Sequence, residues 1–466
     1  MSNLLSSLRS AADTLDALQQ SVAVSQNNVM NASTPGYVRQ TLPLAAREFL
    51  PGGGFLGGVE TGTLKSSRDE YAEQAVRTQV TEMGKASQQV RSLTSLESVF
   101  PINDAAGISA SWDHLLQSFS ALSATPNNVT AQKNVLSAAG ALSNSFQRTA
   151  DQLTRVTNDT NQEIQGTVAE LNAVVSRVRE YNQRRQSGAG EDASLDAQMH
   201  NAFEELSQLA DVKAVKVADG TYTLLLNGQH AILIGTRQNQ LASQLVTPTT
   251  PAPVNAGAAP NARVVDITSG EDVSEHVQTG KLGGLLTFRN ETLTEYQGDS
   301  QATGLLNKVA ASLADRVNGI LSPATPLFTY DATSSVKTAL SIAVNPAADL
   351  SALPADAAGV SNGKLLQLAG LANPLDPNDR IDGMSYAAFF GYITSTVGQK
   401  LSDAKVTDDS QTQLVDQAKA LRTQLSGISL DEEATRLVEF QRAYEATSRM
   451  VAVLNEMNDA VMGLIR

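Results

Sequence analysis

A chain of 466 residues, 41% hydrophobic and 18% charged, has enough apolar content for real cores and enough length for roughly two to four domains. Its 34 basic and 48 acidic residues give a net charge of −14, and no basic cluster is present to neutralise phosphates. That excludes an electrostatic nucleic-acid footprint and disfavours adsorption to an anionic membrane surface. There is no cysteine, so disulfides, thiolate nucleophiles and cysteine-ligated zinc are excluded.

Met1 to Leu18 has no uninterrupted apolar stretch, because Asp13 and Asp16 fall inside it. It therefore does not read as a secretory signal. No run of about twenty apolar residues is present, so no membrane-spanning helix is expected. On these grounds alone the chain would be placed in the cytoplasm.

The first element is a helix from residue 4, expected to stop near Asn31. Leu8, Ala11, Leu15, Leu18, Val22, Ser25 and Val29 give it a narrow seam at 3-4 spacing, suited to one partner helix. Thr34-Pro35-Gly36-Tyr37 then reads as a type II turn, with Pro and Gly at its central positions. Pro51 to Gly54, with Gly57 and Gly58, reads as a flexible or hairpin loop. Helical periodicity resumes near Ser66 and runs to about Arg185. It breaks around Pro101 to Gly107 and is punctuated by Pro126-Asn127-Asn128. Inside it Ile164, Val168, Leu171, Val175 and Val178 form a second seam. A loop at Ser187 to Gly190 leads to a helix at Leu195 to Leu209.

Near Asp211 the period changes to that of strands. Val212 to Val217 and Thr221 to Leu226 are joined at Asp219-Gly220, and Asn227-Gly228 leads to Ile232 to Ile234. Both dipeptides are strong hairpin signals. Residues 247–262 form a Pro/Ala-rich connector, and Ala262 to Ile267 reads as a further strand. Helix is expected again over Leu285 to Leu321, with Leu293, Leu306, Val309, Leu313 and Val317 on one face. Residues 322–379 are mixed, and Met384 to Ser426 is mainly helical. Gly427 breaks that helix, and Ser429 with Glu432 offers a capping box for the last one. Leu430, Leu437, Phe440, Tyr444, Val451, Leu454, Val461 and Ile465 give this last helix a seam like the first.

No catalytic constellation stands out. His114, His200, His230 and His276 are scattered without ligand spacing and read as surface or satisfied residues. The glycine groups at 52–54 and 283–284 are not followed by the residues of a phosphate loop, and no nucleophile elbow is present. Asp431-Glu432-Glu433 reads as first-turn acids complementing the helix dipole. No cofactor and no metal site is expected, and the chain does not read as an enzyme.

The terminal seams carry more information. Ordering the two terminal helices, roughly 60 residues at about 1–2 kcal/mol each, costs on the order of 60 kcal/mol or more. About a dozen seam side chains return at most about 1.5–3 kcal/mol each. Neighbouring molecules are expected to supply the remaining contact, which makes the chain a part of an assembly.

The stretch from Asn27 to Gln40, NNVMNASTPGYVRQ, resembles the N-terminal signature of the bacterial flagellar axial proteins, which comprise the rod, hook and hook-associated proteins. The run SGISLDEE from Ser426 to Glu433, continuing to FQRAY at Phe440 to Tyr444, is similar to the C-terminal signature of that family. Gly280 to Arg289, GKLGGLLTFR, and Asp219 to Thr223 resemble further stretches of it. The form TPGYxRQ is closest to the hook-associated branch at the junction of hook and filament.

The resemblance implies a mainly α, multidomain fold with an inserted β module and with the terminal helices paired as a coiled coil. The expected division is 1–40 plus 429–466 for the coiled coil, 41–210 plus 281–428 for a helical body, and 211–280 for a β-rich outer domain. The expected assembly interface is Leu8, Leu15, Leu18, Val22, Val29, Pro35, Gly36, Tyr37, Leu430, Leu437, Phe440, Tyr444, Val451, Leu454 and Val461.

Function is likewise implied: a structural subunit of the flagellum between hook and filament, giving the filament its start site. The implied partners are copies of itself in a ring or helix, the hook protein and the second junction protein on the filament side. A cytoplasmic export chaperone for the C-terminal helix is also implied. Export through the flagellum's own type III channel, without a cleaved signal peptide, would make the location extracellular and overturn the cytoplasmic reading. The alternatives are another axial subunit, such as a hook or distal rod protein, and an exported enzyme on an axial scaffold.

Overall fold

The structure is a computed structural model, and it describes residues 2–50, 55–101, 107–187, 192–245, 262–299, 302–322, 324–331, 333–334, 337–351, 356 and 358–464. In chain order, α1 is Ser2–Met30. A run of short strands follows: β1 (Gln40–Thr41), β2 (Leu44–Ala46), β3 (Phe49–Leu50), β4 (Phe55–Leu56), β5 (Val59–Thr61) and β6 (Lys65–Ser66). Next come α2 (Glu70–Glu97), α3 (Ile108–Ala124), α4 (Val129–Gln186) and α5 (Ala193–Leu209). Strands β7 (Val212–Lys216), β8 (Tyr222–Leu226), β9 (His230–Ile234), β10 (Arg237–Gln238), β11 (Leu241–Leu245) and β12 (Ala262–Asp266) form the β module. The chain returns through α6 (Gly280–Thr287), a π-helical turn at Phe288–Thr292, α7 (Leu293–Gln297) and α8 (Leu305–Leu321). Small elements β13 (Phe328–Thr329), α9 (Thr338–Ser341), β14 (Ala343–Val344) and α10 (Gly363–Gly370) lead to α11 (Tyr386–Ser426) and α12 (Leu430–Leu464).

Caps explain several boundaries. The Asp69 carboxylate accepts from Ala72 N, Asn128 from Thr130 N and Ala131 N, and Ser385 from Ala388 N. Each satisfies an orphan donor of a helix start. The expected single helix over 285–321 is interrupted instead at Gly298 and Gly304, with φ of +85° and +78°. Only glycine adopts that conformation without strain, so the chain turns there between α7 and α8.

The body has two main cores joined by one strut. The first packs α3 and the Val135 to Leu153 part of α4 against Leu293 to Leu321 and the start of α11. The second packs Ile164 to Val178 of the same helix against α5, the β module and α6. The β module is a four-stranded antiparallel sheet of order β10-β9-β8-β7, with β11 and β12 as a separate pair. Gly220 (φ +83°), Asn227 (+47°) and Gly228 (+69°) make the two expected hairpin turns. Buried side chains run without interruption across position 211, because β8, β9 and β12 bury their inner faces on α4 and α5.

Helix α11 lies antiparallel along α2. Its half-buried or buried positions run through Val397, Leu401, Ala404, Asp408, Gln411, Val415, Ala418 and Arg422, a heptad seam. Gly84 of α2 permits a close approach, since a Cβ there would lie 2.4 Å from Gln208 O and 3.2 Å from Lys281 N. Among the described residues, none of the hydrophobic clusters contains a residue of α1 or α12.

The segment 40–66, expected to belong to a helical body, is instead an antiparallel β strap. It pairs β1 with β6, β2 with β5 and β3 with β4. The strap lies on α1: Ser10 Oγ donates to Gly57 O at 2.6 Å, and Val59 N donates to Thr14 Oγ1 at 3.3 Å. Arg47 pairs with Asp13 at 2.6 Å.

Candidate assembly interface and its joint

The signature residues after α1 build one connected joint. Asn31 Nδ2 donates to the backbone and side-chain oxygens of Asn27, at 3.0 and 2.8 Å, and Thr34 Oγ1 donates to Asn31 Oδ1. Tyr37 N then donates to Thr34 O at 3.2 Å, closing the type II turn with Gly36 at φ +70°. The turn sits on α5. Asn201 Nδ2 donates to Pro35 O at 2.8 Å, and a Cβ at Gly36 would lie 2.3 Å from Asn201 Oδ1. Glycine is required there on both counts.

Beneath the turn lies an ionic network. Arg68 donates to Gly36 O at 2.7 Å and to Asp196 at 3.0 Å, and also pairs with Glu73. Arg185 shares Asp196 at 3.2 Å. Arg422 of α11 bridges Glu73 at 3.3 Å and Glu204 at 2.9 Å, and Lys419 reaches Glu204 at 3.0 Å. Burial pulls the Glu204 carboxyl upward, but the bonds from Lys419 and Arg422 outweigh it and hold its pKa below the ordinary value.

His200 is buried at this joint beside Phe203 and Tyr222, and neither ring nitrogen has a hydrogen-bond partner among the described residues. This corrects the expectation of a surface or satisfied histidine. Burial, reinforced by the positive charges of Arg68, Arg77, Arg185 and Lys216, pushes its pKa down to about 2. Asp196 lies 3.8 Å away, but Arg68 and Arg185 already engage it.

A second polar cluster joins α1, the strap and α12. Asn28, 1% exposed, accepts from Gln40 N at 2.9 Å and from Tyr37 Oη at 3.2 Å. Its amide donates to Gln40 O at 2.9 Å and to Glu433 Oε2 at 3.2 Å. Arg39 Nε lies 3.0 Å from Glu433 Oε1. Burial, together with the charge of Glu433, raises the Tyr37 pKa. Glu433 is a first-turn acid of α12, as expected, and at 1% exposure it is also a buried ionic partner. Glu432 N donates weakly to Ser429 Oγ at 3.4 Å, while the Glu432 carboxylate turns to Arg39.

Beyond this cluster α1 and α12 run antiparallel. On α1, Leu18 is buried, Leu8, Leu15 and Val22 are half-buried, and Val29 is 36% exposed. On α12, Leu437, Phe440, Val451 and Leu454 are half-buried against α1. Leu430, Tyr444 and Val461 are exposed, and Ile465 lies outside the described residues. Pro35 is exposed, while Gly36 and Tyr37 are half-buried. Composition and spacing had not singled out further exposed apolar residues on α12: Val438, Met450, Val453, Met457 and Met462. Among the described residues no group of acids and histidines could hold a metal, and no helix is long and apolar enough to cross a membrane.

A helix pair made from the two chain ends, carried on a long-helix body by a polar joint, is the architecture of an axial assembly subunit. Residues 93–327 match the family model of the flagellar hook-associated protein FlgK helical domain, and residues 422–464 match that of the flagellar basal body rod FlgEFG protein C-terminal region. The flagellar hook-associated protein 1 of Bacillus subtilis (strain 168) is 24% identical, over 99% of this chain and 98% of that protein. Its counterpart in Salmonella typhimurium is 26% identical over 65% of this chain, and the match spans about half (54%) of that longer protein. The solved structure of the flagellar hook junction protein FlgK from Burkholderia pseudomallei shares the fold, with a TM-score of 0.59 at 14% identity over 77% of this chain and 100% of that one. The chain belongs to the flagellar hook-associated protein FlgK family, the hook–filament junction proteins, and is a structural component of the bacterial flagellum.

Proposed function

We propose that this chain forms the hook–filament junction through its terminal helix pair, and that the assembled ring gives the filament its start site. The observation that carries the reading is the state of α12. It packs on α1 along Leu437, Phe440, Val451 and Leu454, while Leu430, Tyr444 and Val461 of the same seam, and Val438, Met450, Val453, Met457 and Met462 around the rest of the helix, remain exposed. Exposed apolar side chains along the length of one helix need cover, and identical neighbours in a tube supply it at no cost in new sequence. The interface then comprises the seam of α1 and α12 with these exposed residues, and the turn at Pro35, Gly36 and Tyr37 fixes the angle of the pair to the body.

The partners on this reading are copies of the chain, the hook protein on one side and the second junction protein toward the filament. Before assembly the same α12 face is covered by a cytoplasmic export chaperone. The chain is exported through the flagellar channel, resides outside the cell and has no catalytic role. On this reading 1–40 plus 429–466 folds as one unit with the strap at 40–66, and 211–280 shares its core with the body formed by the rest of 41–210 and 281–428.

Antibody labelling of isolated flagella tests the location. A thin band between hook and filament is expected. Label along the hook, along the filament or at the rod overturns the junction reading in favour of another axial role.

A further inference from the structure

We infer that Glu433, with Asn28 and Arg39, sets the register of the terminal helix pair and selects which α12 an α1 will accept. This concerns the same helix pair as the proposed function and rests on that reading only for its consequence in assembly.

The apolar seam cannot set register by itself. On α1, Leu8, Leu15, Val22 and Val29 recur at steps of seven, as do Ala11, Leu18 and Ser25. On α12, Leu430, Leu437, Tyr444 and Val451 repeat at the same step, and so do Phe440, Thr447, Leu454 and Val461. Sliding one helix past the other by a heptad, about 10.5 Å, lays apolar residues on apolar residues again. Two or three registers are therefore nearly equivalent in packing.

The polar cluster removes that degeneracy. Glu433 is the one fully buried side chain among the described residues of α12. Its carboxylate accepts from Asn28 at 3.2 Å and forms an ion pair with Arg39 Nε at 3.0 Å, and among the described residues the buried Nε and Nη2 of Arg39 make no hydrogen bond. A slip of seven one way brings Phe440 to the level of Asn28, and the other way carries the start of α12 at Leu430 past it, so neither register sets a carboxylate beside Arg39. It also strands Glu433 among half-buried apolar residues, where an unpaired charge is costly. A single buried polar match in an otherwise repetitive coiled coil is the best-attested way to fix register. The same cluster rejects a neighbour's α12 docked out of line.

The chain has no cysteine, so introduced cysteines report cleanly. Two heptads from the Asn28–Glu433 contact, Thr447 comes level with Thr14, next to the seam residue Leu15 of the antiparallel α1, with Leu8 and Val22 one heptad to either side. Thr447→Cys is combined in turn with Leu8→Cys, Leu15→Cys and Val22→Cys in the purified full chain, and oxidative cross-linking is read on gels. With the cluster intact, the intramolecular Leu15 cross-link should exceed the other two by about tenfold, the discrimination expected of a buried polar register lock. In the Arg39→Met, Glu433→Leu background, which adds apolar contact and leaves Asn28 clamped on Gln40, the three positions should become comparable and intermolecular dimers should appear.

Glu433→Gln keeps an acceptor for Asn28 and should restore the Leu15 preference. Body melting is followed in every variant to establish that the fold persists. An undiminished Leu15 preference in the Arg39→Met, Glu433→Leu chain overturns the inference, and so does an absence of preference in the parent. Because the readout is a cross-link in the isolated chain, it stands or falls independently of where the protein sits in the flagellum.

Discussion

Ser426, the last residue of α11, accepts the backbone N–H of Asp69, the cap of α2, on its hydroxyl at 3.0 Å. The carbonyl of the same serine accepts from Arg39 N at 3.3 Å. One residue therefore holds the start of α2, the end of α11 and the strap that leads to α1. Both chain ends leave the body at one point, which is why helices more than 400 positions apart in sequence can pair.

A charge in the seam should block assembly and leave the body folded. Leu18 is buried on α1 and Leu454 half-buried on α12, so Leu18→Asp or Leu454→Asp sets a carboxylate without a partner where a helix packs. The local cost is several kcal/mol, on the order of that for any unpaired buried charge. No body cluster includes either residue, so the melting temperature of the body should stay within a few degrees of the parent. A calorimetric scan with a sedimentation assay of assembly checks both halves; a large drop in melting temperature refutes the separation.

Hydrogen exchange should rank the helices. Leu142, Phe146, Leu153 and Leu171 of α4 are fully buried, whereas α12 has only half-buried apolar contacts. In the isolated chain, amides of α1 and α12 should exchange orders of magnitude faster than those of α4, since local opening follows buried contact. Equal protection at both ends and in α4 would place the terminal helices in the main core.

His200 should make the body acid-sensitive. Its folded-state pKa is pushed down to about 2, below the ordinary histidine value, so between those limits the unfolded chain binds a proton that the folded chain does not. Its contribution to stability is complete above about pH 6.5 and falls by about 1.4 kcal/mol per pH unit below it. His200→Leu removes no hydrogen bond and should flatten this part of the profile. Urea midpoints of parent and variant from pH 7 to pH 4.5 give the comparison, and parallel profiles would sink the assignment.

Loss of residues 430–466 should yield hooks without filaments. The truncation deletes Phe440, Val451 and Leu454 and leaves α1 without its partner. Cells carrying only the shortened chain should have hooks of normal length, shed monomeric filament protein into the medium and fail to swim. Electron microscopy and immunoblots of the medium read this directly; normal filaments would refute the start-site role.

The parts of this molecule visible in the sequence are those governed by local rules. The seams of α1 and α12, the second seam of α4, the type II turn at Pro35-Gly36 and the hairpins at Asp219-Gly220 and Asn227-Gly228 follow from period and turn chemistry. The strap did not, because ladders of two or three residues leave no periodic signal. The break at Gly298 and Gly304 was missed because apolar residues continue on both sides of it, although at about 100° per residue Leu293 and Leu306 fall on opposite faces and so already signal an interruption. Glu433 is a first-turn acid as its position implies, but its burial depends on Asn28 and Arg39, some 400 positions away, and nothing in its own neighbourhood signals it. His200 shows the same failure: three arginines and Lys216 surround it only after the fold has formed.

Helix α4 has 58 residues, about 87 Å at helical rise, and both main cores are built on it. A continuous helix resists bending, so under the torque of a turning propeller shaft the two cores move as one stiff beam. Among the described residues no apolar cluster is shared between that beam and the terminal pair; the chain passes from one to the other through the hydrogen bonds of Arg68 with Gly36 and of Ser426 with Asp69 and Arg39. A load on the tube therefore reaches the beam through directional polar contacts and not through a packed core.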